Sequence, residues 1–95
     1  MPEPLSDDQI RSALDSLPGW SHEQDRLTRG FQFKDFSEAM AFIVRVGLLA
    51  EQHQHHPELF NVYNRVTIAL NTHDAGGKVT HKDVELAKAI QALGV

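Results

Sequence analysis

The chain has 95 residues, 41% hydrophobic and 23% charged, with a net charge of −4 and no cysteine. That length makes one domain, of the size that buries roughly 60–65% of its unfolded surface, and the composition is that of a soluble globular protein. The acidic balance argues against the basic field that a direct nucleic-acid partner selects, and without cysteine there is no disulfide, catalytic thiolate or cysteine-ligated metal. The opening MPEPLSDDQI lacks the positive start and apolar stretch of a signal peptide, and apolar runs such as Val46 to Ala50 are far too short to cross a bilayer. A cytosolic location and no membrane association are therefore expected. Nothing in the chain reads as a repeat, a low-complexity tract or a linker.

Ser6 starts the first helix, with Gln9 at capping-box spacing and Leu5 and Ile10 placed as a hydrophobic staple. Ile10, Leu14 and Leu17 then share a face, and Pro18-Gly19 ends the helix. A short strand follows over Trp20 to Glu23, a turn at Gln24-Asp25, and a second strand from Leu27 to Phe33. In the second strand Leu27, Arg29, Phe31 and Phe33 point one way and Thr28, Gly30 and Gln32 the other, the alternation of a half-buried strand. Asp35 or Ser37 caps a second helix, whose apolar stripe of Phe36, Met40, Ile43, Gly47 and Ala50 is widened by Phe42, Val46 and Leu49. So broad a face predicts packing on a sheet and on something else besides, such as another subunit. Pro57 disfavours helical geometry at His56 and ends this helix by about Gln54 or His55. Asn61 to Leu70 reads as one long strand with Val62, Asn64, Val66, Ile68 and Leu70 on a single face, and Lys78-Val79 as a short edge strand. Thr80 caps the last helix, with Asp83 at its third position and Val84, Ala87, Ile90 and Leu93 as its apolar face. The expected fold is α+β, in the order α-β-β-α-β-β-α, a four-stranded antiparallel sheet with three helices on one face.

Four of the six histidines lie between residues 53 and 73. His55 and His56 fall at the C-terminal end of the second helix, where the helix dipole favours imidazolium. A histidine's ordinary pKa of about 6.5 suits acid or base work near neutral pH. His73 sits in the loop after the long strand, and two loops at one end of such a layer can converge on one pocket. Each residue also has a plain structural reading. The His55-His56 pair before Pro57 can be simply a helix stop, Trp20 core packing rather than an aromatic wall for a flat heterocycle, and Asp83 a capping residue. Glu51, four residues before His55, shares a helix face with it or is an exposed carboxylate. A metal site from His53, His55 and His56, aided by Glu51, is the alternative chemistry, although adjacent histidines rarely turn both rings to one ion and no HExxH pattern is present.

The stretch from Ala50 to Val66, AEQHQHHPELFNVYNRV, resembles the signature of the pterin-4a-carbinolamine dehydratases in its Glu51, its HHP turn and its Asn61-x-Tyr63-Asn64. Thr72-His73 resembles the family's second histidine loop, and Thr80-x-x-Asp83 with Val84-Glu85-Leu86-Ala87 the start of its last helix. Gly19-Trp20, Phe33 to Phe36 and Arg45-Val46 are similar too, so the likeness runs from about Leu5 to Leu93. It implies a hydro-lyase that removes water from a 4a-hydroxytetrahydropterin, giving quinonoid dihydropterin in support of an aromatic amino acid hydroxylase, with no metal or organic cofactor. It implies His55, His56 and His73 as the catalytic histidines and Glu51, Trp20, Pro57 and Asp83 as substrate-binding residues. It further implies a homodimer joined sheet edge to sheet edge, or a homotetramer. Gln54 stands where some members have a charged residue and Leu59 where many have Trp or another aromatic, and both bear on the preferred pterin side chain and the pocket mouth. Some members also stabilise a homeodomain transcription factor, and others, with degraded histidine motifs, serve assembly of a carbon-fixing enzyme; retention of all three histidines here favours catalysis.

Overall fold

A computed structural model describes residues 2–95. Its elements are α1 (Asp7–Leu14), β1 (Ser21–Glu23), β2 (Arg26–Gln32), α2 (Phe36–His53), β3 (Glu58–Val62), β4 (Arg65–Leu70), a 3₁₀ turn (His73–Ala75) and α3 (His81–Gln91). The strands form one antiparallel sheet in the order β1-β2-β4-β3. The three helices cover one of its faces, so the α+β class and element order are as expected. Among the described residues, no helix is long and apolar enough to cross a membrane.

The buried face follows from strand alternation. Leu27 and Phe31 of β2 and Val66, Ile68 and Leu70 of β4 point to the helices, and Ala39, Phe42, Val46 and Ala50 of α2 with Val84, Leu86, Ala87 and Ile90 of α3 pack on them. The Phe42 ring lies 4.7 Å from that of Phe31 and 4.9 Å from that of Phe33, joining α2 to the sheet. Arg29 is tolerated on this face because its guanidinium stacks 4.3 Å from the Phe31 ring centre and donates to Gln91 and to the Val95 carbonyl at the chain end.

Local chemistry sets the helix starts. Ser6 and Gln9 form the complete capping box of α1, and Thr80 and Asp83 that of α3. Asp35 caps α2 by accepting from the Glu38 N–H, while the Glu38 carboxylate reaches past it to the Lys34 N–H.

Several expectations differ from the structure. The first helix stops at Leu14, not at Pro18-Gly19, and Leu17 is buried from the turns that follow. Asn61 to Leu70 is two strands, with Tyr63-Asn64 as a two-residue hairpin loop and Tyr63 at φ +49°. Val62 therefore points away from Val66 and is 44% exposed, and Asn64 donates from the loop to the Phe33 carbonyl. The sheet's remaining strand is β3, Glu58–Val62, in place of the expected Lys78-Val79, and Lys78 makes only an isolated bridge to Thr72. On α2 the inward stripe is Ala39, Phe42, Val46 and Ala50, whereas Phe36, Met40, Val44 and Leu48 are exposed.

The end of α2 holds one strained residue. Gln54 sits in the left-handed region at φ +49°, with its N–H on the Glu51 carbonyl and the His55 N–H on the Ala50 carbonyl. That hydrogen-bond pair is a Schellman motif, whose left-handed position favours glycine. Gln54→Gly is expected to stabilise the fold by about 0.5–1 kcal/mol, read as a thermal midpoint higher by roughly 2–8 °C.

Candidate active site

The histidines are brought together by two chain reversals. The first is the Schellman end of α2: it turns the chain sharply at Gln54, and Pro57 prevents His56 from resuming helix. His55 and His56 each meet a different carboxylate beyond the helix end. The second reversal follows β4. The Thr72 N–H donates to the Lys78 carbonyl at 2.9 Å, and the Thr72 carbonyl accepts from Ala75 and Gly77, each at 3.0 Å. Gly76 and Gly77 hold φ of +73° and +76°, which closes this tight turn, and His73 opens it directly after Thr72.

Between the reversals lies a cavity of about 250 Å³, lined by Gln54, His55, His56, Asn71, Thr72, His73, Asp74 and Lys82. It is somewhat below the size of typical ligand pockets, about 300–1,000 Å³. His55 is nearly enclosed, at 8% exposure, whereas His56 and His73 are exposed.

His55 Nε2 is 2.5 Å from Asp83 Oδ1, and Asp83 is fully buried. The other carboxylate oxygen, Oδ2, accepts the Thr80 N–H and the Thr72 hydroxyl, both at 2.9 Å. The Thr80 hydroxyl lies 2.7 Å from that of Thr72 and accepts the Lys82 N–H. Donor logic fixes the protons: Thr80 Oγ1 donates to Thr72 Oγ1, Thr72 Oγ1 donates to Asp83 Oδ2, and His55 donates Nε2–H to Oδ1. In its neutral form His55 therefore keeps Nδ1 as an acceptor. His56 Nε2 makes the second histidine–carboxylate pair, 2.5 Å from Glu51 Oε1 and exposed to solvent.

Of the residues singled out from the sequence, His55, His56 and His73 line one cavity, Asp83 supports it from beneath, and Glu51 joins it through His56. Glu51 does not pair with His55 as its helical spacing implied, because α2 ends at His53 and turns His55 inward. Pro57 is half-buried beside the pocket and is not among its lining residues. Trp20 is placed elsewhere: it is 6% exposed, packs edge-on to Phe31 at 6.3 Å and donates to Gln91, beside a separate groove with Ile10 and Leu14. The rings of His55 and His56 face different carboxylates, and among the described residues no three His, Asp or Glu side chains form a metal-binding group.

Sequence reasoning passed over Lys82 and the Thr72 hydroxyl. Lys82 had a signal: a cation in the first turn of a helix opposes the helix dipole, and such a misplaced charge points to a use. Thr72 was noticed only as the neighbour of His73. Its part in the network depends on Thr80 and Asp83, 8 and 11 residues away, which no local pattern reports.

Comparison with known proteins agrees with this architecture. The family model described as pterin 4 alpha carbinolamine dehydratase matches residues 3–93. A protein of Rhizorhabdus wittichii, provisionally named a pterin-4-alpha-carbinolamine dehydratase, is 55% identical over 96% of this chain and 95% of its own length. A protein of Opitutus terrae with the same provisional name is 50% identical over 98% of this chain and 96% of its own. The crystal structure of a transcriptional coactivator/pterin dehydratase from Brucella melitensis superimposes with a TM-score of 0.90 at 39% identity, covering 97% of this chain and 99% of that one. A pterin dehydratase-like RuBisCO assembly factor of the alpha-carboxysome shares the fold at a TM-score of 0.62 and 21% identity, over 78% of this chain and 84% of that one. The chain belongs to the pterin-4-alpha-carbinolamine dehydratase family.

Proposed function

We propose that this protein dehydrates a 4a-hydroxytetrahydropterin to quinonoid dihydropterin, recycling the cofactor of an aromatic amino acid hydroxylase. One observation carries the reading: three histidines line one small cavity, and the least exposed of them is held by a buried carboxylate.

The reaction breaks the bond between C4a and its hydroxyl oxygen and removes the proton of N5, leaving a C4a–N5 double bond and water. Hydroxide is a poor leaving group, so it must be protonated as it departs. His73, exposed at the start of its turn, is the donor in this scheme. His55 accepts the N5 proton at Nδ1, and Asp83, already bonded to Nε2–H, stabilises the imidazolium that results. His56, oriented by Glu51, holds the pterin. After one turnover His73 has lost a proton and His55 has gained one, and exchange with water through the open cavity resets both. Acid and base each contribute typically 10²–10⁴-fold. No step calls for a metal or organic cofactor.

The test is the rate of carbinolamine dehydration, with phenylalanine hydroxylase generating the substrate, for wild type, His55→Ala and His73→Ala, with and without chelator. Wild type is expected to accelerate the reaction regardless of chelator, and each variant to lose roughly 10²–10⁴-fold in kcat, limited below by the spontaneous reaction. A wild type no faster than the uncatalysed reaction would sink the proposal, and loss of activity only on chelation would replace it with a metal-dependent one.

The same proposal includes a homo-oligomer working in the cytosol. β3 pairs on one side only, and the exposed Phe36, Met40, Val44 and Leu48 recur every fourth residue along α2. Sedimentation equilibrium is expected to give a dimer or tetramer of the 10.7 kDa chain; a monomer at micromolar concentration would overturn this part.

A further inference from the structure

We infer that Thr72 is a positioning residue for the acid–base pair, setting the tautomer of His55 through Asp83 while its own backbone carries His73. The inference rests on the proposed dehydration for its kinetic consequence, and on the geometry of the network alone for its structural one.

Thr72 is 3% exposed and opens the second chain reversal. Its hydroxyl donates to Asp83 Oδ2 at 2.9 Å and accepts from Thr80. With the Thr80 N–H also on Oδ2, that oxygen holds two donors, and Oδ1 is left as the acceptor that faces His55. The order of donors runs one way because a carboxylate only accepts: the single Thr72 hydroxyl proton goes to Asp83 Oδ2, so Thr72 Oγ1 accepts from Thr80 Oγ1. A methyl group in place of the Thr72 hydroxyl leaves the Thr80 hydroxyl without its acceptor and Oδ2 with one donor fewer. The carboxylate can then rotate toward the Thr80 hydroxyl, and the registry between Oδ1 and Nε2–H is lost.

The backbone of the same residue fixes the second histidine. The Thr72 N–H and carbonyl make three of the hydrogen bonds that close the turn, to Lys78, Ala75 and Gly77, and His73 is the next residue. One residue thus ties the two histidines together, His73 through its backbone and His55 through its hydroxyl and Asp83. Two groups that must act on neighbouring atoms of one substrate are held in fixed relation in this way, and a misplacement of about 1 Å costs on the order of 10²-fold in rate.

The experiment compares wild type, Thr72→Val and Thr72→Ser by dehydration kinetics and by two-bond ¹H–¹⁵N spectra of the histidine rings, with His55 assigned by its absence in His55→Gln. Wild type is expected to show His55 with the proton on Nε2 alone in its neutral form. Thr72→Val is expected to lose roughly 10–100-fold in kcat with KM within about threefold, and to show His55 as an average of two tautomers. Thr72→Ser, which keeps the hydroxyl, is expected to restore both readouts. A wild-type His55 protonated on Nδ1 overturns the inference without any variant, and so does a Thr72→Val protein that keeps a pure Nε2–H tautomer. A rise in KM with kcat unchanged overturns it in favour of direct substrate contact. If wild type proves not to be a dehydratase, the proposed function fails, and the ring spectra still decide whether Thr72 sets the tautomer.

Discussion

Asp83→Asn is expected to lower kcat by roughly 10²–10⁴-fold while leaving the protein folded. The reason lies in which oxygen each donor uses. Oδ2 accepts the Thr80 N–H and the Thr72 hydroxyl, so an asparagine keeps its oxygen there and turns its NH₂ toward His55. Nε2–H, now 2.5 Å from the Oδ1 position, would face two further hydrogens. Neutral His55 relieves the clash by moving its proton to Nδ1, which makes Nε2 the acceptor. The nitrogen assigned to receive the N5 proton is then already protonated, and no carboxylate remains to stabilise the imidazolium. A wrong tautomer enforced by an Asp→Asn change costs about 10⁴-fold in a serine-protease triad, and the smaller demand of a reaction with a spontaneous rate places this case at or below that figure. The loss in stability should be about 1–3 kcal/mol, because the capping contacts to Thr80 and Thr72 survive. Asp83→Ala is expected to melt lower than Asp83→Asn, since it also leaves the Thr80 N–H and Thr72 hydroxyl buried without their acceptor. Steady-state kinetics and thermal melts on the two variants read both effects. A folded Asp83→Asn protein with kcat within about threefold of wild type would show that the carboxylate does not act through His55.

What the sequence disclosed, and what it did not, divides by distance along the chain. The capping boxes at Ser6 and Thr80 were readable because a side chain there bonds a backbone N–H three residues on. The end of α2 was readable because Pro57 acts on its immediate neighbour. The hairpin at Tyr63-Asn64 was not, since its loop carries no glycine and the period-2 pattern of Val62, Val66, Ile68 and Leu70 continues across it with Asn64 as its one polar member; only tertiary pairing puts Val62 and Val66 on opposite faces. Asp83 shows the same division within one residue. Its capping contacts span three residues and looked sufficient, yet a carboxylate has two oxygens, and the second meets His55 across 28 residues. Trp20 was placed beside the pterin by family resemblance, while its burial on Phe31 and its bond to Gln91 set it in the core. Glu51 was read at helical spacing from His55, and the left-handed Gln54 re-aimed the chain so that His56 met it instead.

Phe42→Ala is expected to remove about 3–5 kcal/mol of stability, the largest thermodynamic effect of any single truncation argued above. Phe42 is 3% exposed, and its ring contacts the sheet through Phe31 and Phe33 at centroid distances of 4.7 and 4.9 Å. Those contacts are the aromatic bridge between α2 and β2, and they lie in the middle of a helix whose far end presents His55 and His56. Flanking side chains have little scope to fill the hole. Ala39 and Val46, one turn away on either side along the same stripe, are short, and β2 is held in register by its pairing with β4. The cavity therefore stays largely open, and the cost is transfer free energy plus cavity, not transfer alone. For a domain of this size, with total stability of about 5–15 kcal/mol, the thermal midpoint should fall by roughly 12–40 °C. The kinetic consequence separates packing from chemistry. At a temperature where the variant is still folded, kcat should stay within about threefold of wild type, because Phe42 touches none of the pocket-lining residues through its ring contacts. Asp83→Asn is expected to behave the opposite way, with a modest melt shift and a large loss of kcat. If Phe42→Ala melted within a few degrees of wild type, α2 would be held to the sheet mainly by its ends, and the rigidity assigned to the histidine turn would have to come from the Asp83 network instead.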